Sequence, residues 1–160
     1  MTLPRAIAAF VLLSALNLAL MVPGGIVETR SFPDYSVTVL AAFNVFLTVL
    51  GLGSLILGYR ILRSGQAGAM PLFAGIGYVA VYGLDLAEIF PVSAAPMSLA
   101  LFTMEWIGTV LGAALIALSV THLSRGGSSA ADRPALSAPT IGALVVLTLG
   151  IVVFATWSAM

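Results

Sequence analysis

Apolar residues in this 160-residue chain gather into five long runs, at 6–22, 37–58, 70–90, 99–121 and 140–159, separated by short polar or turn-forming segments. A bilayer core of about 30 Å takes roughly 20 helical residues to cross. The pattern therefore predicts an all-α integral membrane protein with five transmembrane helices. Run 6–22 follows Arg5 as a signal peptide would, but it is longer than a usual signal-peptide core and is read as a true span.

Turn chemistry lies between the runs. Pro23-Gly24-Gly25 follows the first, Ser64-Gly65 the second, and Pro91 and Pro96 the third. The fourth connection, 124–139, is rich in Ser, Gly, Ala and Pro and reads as a flexible linker. The expected organisation is a four-helix bundle of two hairpins over 1–123, a cytoplasmic linker over 124–139, and a peripheral, lipid-facing fifth helix over 140–160.

Composition narrows the class further. Hydrophobic residues make up 61% of the chain and charged residues 8%, against roughly 25% charged in soluble domains. A water-soluble fold is excluded. Formal net charge is zero, with no basic run, so nothing points to nucleic acid. Cysteine is absent, which removes disulfides, thiolate metal sites and cysteine nucleophiles. The expected partners are the bilayer, other membrane chains or a second copy of this one.

Orientation follows from arginine, the only strongly basic residue type present. Arg5, Arg60, Arg63, Arg125 and Arg133 fall on one side and Arg30 alone on the other. Because cytoplasmic loops keep positive charge, the N-terminus is expected inside and the C-terminus outside, in a multi-pass protein of the plasma (inner) membrane. Glu28, Asp34, Asp85, Glu88 and Glu105 then lie at or near the outer side.

Helical spacing selects interior faces. Gly75, Tyr78, Tyr82 and Asp85 share one stripe of the third helix, and Glu105, Gly108, Gly112 and Ser119 one of the fourth. Gly108 and Gly112 form a GxxxG spacing that permits close helix packing. Asp85 and Glu105 fall at a common depth, roughly 7 to 9 Å below the outer boundary at 1.5 Å per residue. A carboxylate in hydrocarbon is costly and is usually retained for a reason. Asp85, Glu88 and Glu105, with Tyr82 as a hydrogen-bond donor, are the candidate cation or proton site. Its metal, if any, is not specified by the sequence.

The bland alternative places these carboxylates among the headgroups, with Asp85 and Glu88 solvated and Glu105 paired with Arg30 or capping local backbone. Glu28, Arg30 and Asp34 read most simply as a solvated loop. Their functional version is a docking segment or a lid, with Arg30 reaching a carboxylate below. His122 is the sole histidine, so bis-histidine haem within one chain is impossible, and Met70 is the only methionine near it in depth. No cofactor is expected. No GxSxG and no histidine near the outer carboxylates supports a hydrolase, so no catalytic residue is assigned.

Three functions remain. First comes a non-catalytic accessory or structural subunit packing against other membrane subunits. Second is a homo-oligomeric binding or transport protein with an outward-facing acidic site. Third is an interfacial membrane enzyme.

Overall fold

The computed structural model describes residues 2–126 and 137–160. Five helices follow in chain order: α1 (Leu3–Leu20), α2 (Val37–Ser64), α3 (Met70–Leu86), α4 (Leu99–Ser124) and α5 (Ala138–Ala159). Among the described residues there is no strand. Most of the linker expected over 124–139 lies outside the described residues.

Local chemistry sets the helix ends. Ser36, Ser98 and Ser137 accept hydrogen bonds from the backbone N–H groups of Val39, Leu101 and Thr140, capping α2, α4 and α5. Pro4, Pro71 and Pro139 occupy first-turn positions, where the missing N–H costs nothing. At the end of α2, Gly65 takes a left-handed φ of 69° and its N–H returns to the Ile61 carbonyl. That stop lies beyond the apolar run: the helix continues from Gly58 through the polar turns containing Arg60 and Arg63.

Four helices are long and apolar enough to cross a membrane: α1, α2, α4 and α5. The expected third span is shorter, a 17-residue apolar helix of roughly 25 Å. It stops at Leu86 because Glu88 turns the chain with φ 53° and the amides of Ile89 and Phe90 fold back onto the Leu84 carbonyl. Phe90 belongs to a loop, where its ring meets Tyr35 and Phe43 edge to face.

Helix α3 packs most extensively against α4, and α1 packs against both α2 and α4. Large apolar side chains such as Phe46, Phe73, Trp106, Val110 and Val146 point outward. On a soluble protein such a surface would be an aggregation hazard, whereas in a bilayer it meets lipid. These features mark a membrane protein. Its two ends differ in chemistry. The arginine end holds the start of α1, Arg60, Arg63 and the end of α4; the acidic end holds the loops 21–36 and 87–98.

Ile7, Ala8, Val11, Ile61, Ala67 and Leu115 fill the interior toward the arginine end as a wholly apolar cluster. Toward the acidic end the core turns mixed, with Tyr78 and Tyr82 packed beside Leu18, Val81 and Leu101. Helix α5 touches only α2 among the helices. The Asn44 side-chain amide donates to Thr156 Oγ1 at 3.2 Å across that contact. The far end of α5 is also fastened to loop 21–36: the Phe32 N–H donates to the Ala159 carbonyl at 2.7 Å, and Phe32, Leu40 and Ala159 form a small apolar cluster.

Candidate functional site: a buried charge cluster under the 21–36 loop

Loop 21–36 folds back over the helix ends and delivers a cation to them. Arg30 is 7% exposed and Glu28 5%, which corrects the expected solvated loop at these two charges, while Asp34 stays exposed. The reason is electrostatic pairing, which periodicity does not register. Arg30 Nε and Nη2 donate to Glu28 at 3.0 and 2.6 Å, and Nη1 and Nη2 donate to both oxygens of Asp85 at 3.1 and 2.7 Å. The guanidinium also lies 5.4 Å from the centre of the Phe32 ring, a cation–π contact. Burial opposes the charge on Arg30, yet the bonds to Glu28 and Asp85 more than offset it and raise its pKa above the ordinary arginine range.

Two further contacts lock the loop in place. The Tyr35 hydroxyl accepts the Val92 N–H at 3.0 Å, and the Ser93 hydroxyl donates to the Ser31 carbonyl at 3.2 Å. Loops 21–36 and 87–98 are thereby joined above the helices.

Glu105 lies beneath this cap, 1% exposed. Its Oε1 is 3.9 Å from Arg30 Nη2, beyond hydrogen-bonding distance. Its Oε2 is buried and has no hydrogen-bond partner. The Asp85 carboxyl group is its neighbour: both approach the same guanidinium nitrogen, Arg30 Nη2, at 2.7 Å for Asp85 and 3.9 Å for Glu105, and both line one cavity. Two ionised carboxylates cannot donate to each other, so a bond between them requires a proton.

Below the carboxylates the polar groups continue. The Asn17 amide donates to the Tyr82 hydroxyl at 3.2 Å and to the Met104 carbonyl at 3.1 Å. The Tyr82 and Tyr78 rings lie nearly parallel, 6.3 Å apart. A cavity of about 50 Å³ adjoins the cluster, lined on one side by Glu28, Tyr82, Asp85 and Glu105 and on another by apolar residues including Phe43 and Leu47. That volume holds a few water molecules or a compact ion.

Of the residues selected from sequence, the fold brings Asp85, Glu105 and Tyr82 to one place and adds Glu28 and Arg30. Glu88 is exposed on the turn after α3 and takes no part. Asp34 is exposed as well. Gly108 and Gly112 pack inside the chain: a Cβ on Gly108 would collide with Tyr82 and Asn17, and one on Gly112 would press on Val79 and the Gly75 carbonyl. His122 lies at the arginine end of α4, far along the helix from Glu105. Asn17 and Asn44 both make interhelical hydrogen bonds, Asn17 to Tyr82 of α3 and Asn44 to Thr156 of α5.

The chain belongs to the family described as a domain of unknown function, DUF8051, whose profile matches residues 3–134. The matched range contains α1 to α4 and every residue of the cluster; α5 lies outside it. No curated protein and no solved structure matches the chain.

Proposed function

We propose that this membrane protein binds a small cation, the proton included, at the acidic end of its helices, with Glu28, Asp85 and Glu105 as the anionic side of the site. Glu105 carries the reading, as a carboxyl group 1% exposed with one oxygen lacking any partner. Three carboxyl groups share one guanidinium, and when all are ionised two negative charges are left over. An uncompensated charge in a water-poor interior costs several kcal/mol, so the cluster favours taking up positive charge. The adjoining cavity gives that charge a place and a route.

With Arg5, Arg60, Arg63 and Arg125 at the opposite end, the positive-inside rule turns the cluster toward the outer face of a plasma (inner) membrane. The test is thermal unfolding of the detergent-solubilised protein over a series of pH values and of sodium, potassium and calcium concentrations, beside Glu105→Gln. Wild type should be stabilised by one of these cations, the proton included, and the variant should not respond to it. Identical responses in both proteins would overturn the reading.

The accessory-subunit reading keeps one specific support: α5 touches the other helices only along α2 and leaves most of its apolar surface uncovered. A stoichiometric foreign chain in native mass spectrometry, released by bulky substitutions on the outward face of α5, would establish it. The Gly108–Gly112 stripe lends it no support, because those glycines are used within the chain.

A further inference from the structure

We infer that the cation this site takes is a proton, held between Glu105 and Asp85, with Arg30 fixing Asp85 as the acceptor. The inference rests on the cation-site reading above and deepens it. Four observations single out the proton.

Both oxygens of Asp85 are already engaged by the Arg30 fork, an arrangement that stabilises an ionised carboxylate. Glu105 receives no such bond: one oxygen is 3.9 Å from the guanidinium and the other has no partner. Of the two neighbours, Glu105 is therefore the one that gains by becoming a carboxylic acid. Once protonated, Glu105 becomes a neutral acid with an O–H to donate, and Asp85 is the neighbouring carboxylate that can accept it.

A metal ion fits the same place poorly. Arg30 already occupies the point on which Glu28, Asp85 and Glu105 converge, and its charge repels a second cation. Among the described residues no group of three His, Asp or Glu side chains has the geometry of a metal site. A proton avoids that repulsion because it resides on Glu105 as a neutral acid.

The surroundings define the exchange route. The charged and titratable groups that face Glu105 are Asp85 and Tyr82 from α3 and Glu28 and Arg30 from the loop, with Tyr78 stacked behind Tyr82. The polar groups brought near by α1 and α2 are the neutral Asn17 and Asn44. Toward the arginine end the interior closes in the apolar cluster of Ile7, Val11, Ile61 and Leu115, whereas the cavity touches Glu105 from the acidic end. The cavity therefore makes the acidic end the side from which Glu105 exchanges its proton. Hydronium arriving through the cavity gives its proton to the Glu105 carboxylate, leaving water and a carboxylic acid; no other bond forms or breaks.

Infrared difference spectroscopy of the intact protein in lipid tests this, by following the carbonyl stretch of protonated carboxylic acids as pH is stepped. Wild type should show a buried acid band that titrates, Glu105→Gln should lose it, and Glu88→Gln should keep it. Asp85→Asn should shift the band, since the acceptor of the Glu105 O–H changes. Glu105→Asp, which keeps a carboxyl group, guards against a folding defect and should restore a titrating band. If no band is lost in Glu105→Gln while an alkali or calcium ion still stabilises wild type in a Glu105-dependent manner, the proton inference fails and the cation site stands. If no band is lost and no ion acts through Glu105, both fail.

Discussion

Arg30 and Asp85, 55 residues apart, are joined by two hydrogen bonds of 3.1 and 2.7 Å, one from each terminal nitrogen of the guanidinium to each carboxylate oxygen. This paired contact is the main polar tie between loop 21–36 and the helix ends. It also turns a surface-like loop into part of the interior. A bond of this kind has two opposed consequences. Assembling it costs desolvation of both partners, so its net stabilisation is modest, but removing one partner strands the other.

The first prediction follows from that asymmetry. Arg30→Gln should lower stability by about 3 to 5 kcal/mol, the usual cost of breaking a buried pair, because Glu28, Asp85 and Glu105 would then share no cation. Arg30→Lys should recover only part of the loss, since a lysine cannot donate as a fork to both Asp85 oxygens and Glu28 together. Denaturant titration in mixed micelles measures both. A lysine variant as stable as wild type would mean that the fork geometry contributes nothing beyond its charge.

Glycine positions give a second, independent check on packing. Gly108→Ala would force a methyl group into the Tyr82 ring and Asn17, whereas Gly142→Ala meets nothing within 4 Å. Overpacking a filled interior costs about 1 to 3 kcal/mol. Thermal unfolding should place Gly108→Ala well below wild type and Gly142→Ala level with it or above, as expected for alanine replacing glycine on an exposed helix surface. Equal midpoints for the two variants would contradict the close approach of α4 to α3 and α1.

What the sequence disclosed and what it concealed divide along physical lines. Helical spacing put Asp85 and Glu105 on interior faces, and counting residues put them at one depth, because both properties are local to a helix. The starts of α2 and α3 coincide with the starts of their apolar runs, but their ends differ by six and four residues, since apolar runs report hydrophobicity and not backbone hydrogen bonding. Gly58 ends the first of these runs, yet the helix goes on to Ser64; Phe90 ends the second, yet the helix stops at Leu86. The return of Glu28 and Arg30 to the helix ends matches the lid version of this loop, which the sequence favours less than a solvated one. No periodicity encodes a loop that folds back; the surplus of outer carboxylates over one arginine was the signal that favoured it.

A third prediction concerns α5. Its tie to α2 runs through the Asn44 amide and Thr156 Oγ1, and interhelical hydrogen bonds in membranes average about 0.6 kcal/mol. Thr156→Val keeps the shape and removes the acceptor, so it should loosen α5 without unfolding the other helices. Because the chain has no cysteine, spin labels at two introduced cysteines, one on each of α2 and α5, report the distance between them. A broader distance distribution in Thr156→Val is expected; an unchanged one would assign the docking of α5 to its packing on α2 and to the Phe32–Ala159 contact.

The last prediction separates the cap from the charges beneath it. Tyr35 accepts the Val92 N–H through its hydroxyl while its ring meets Phe90, so Tyr35→Phe removes the bond and keeps the ring. One neutral hydrogen bond is worth about 0.5 to 1.5 kcal/mol, too little to disturb the interior and enough to change how often the two loops part. Amide hydrogen exchange at Val92 should accelerate by about 2- to 13-fold, the factor equivalent to that energy, while exchange within α3 and α4 stays as in wild type. If the loops also control access to Glu105, its infrared band should exchange with deuterium faster in Tyr35→Phe than in wild type. An accelerated Val92 with an unaltered Glu105 would place the proton route along the cavity wall between α2 and α3, where Phe43, Leu47 and Val81 lie, and not through the joined loops.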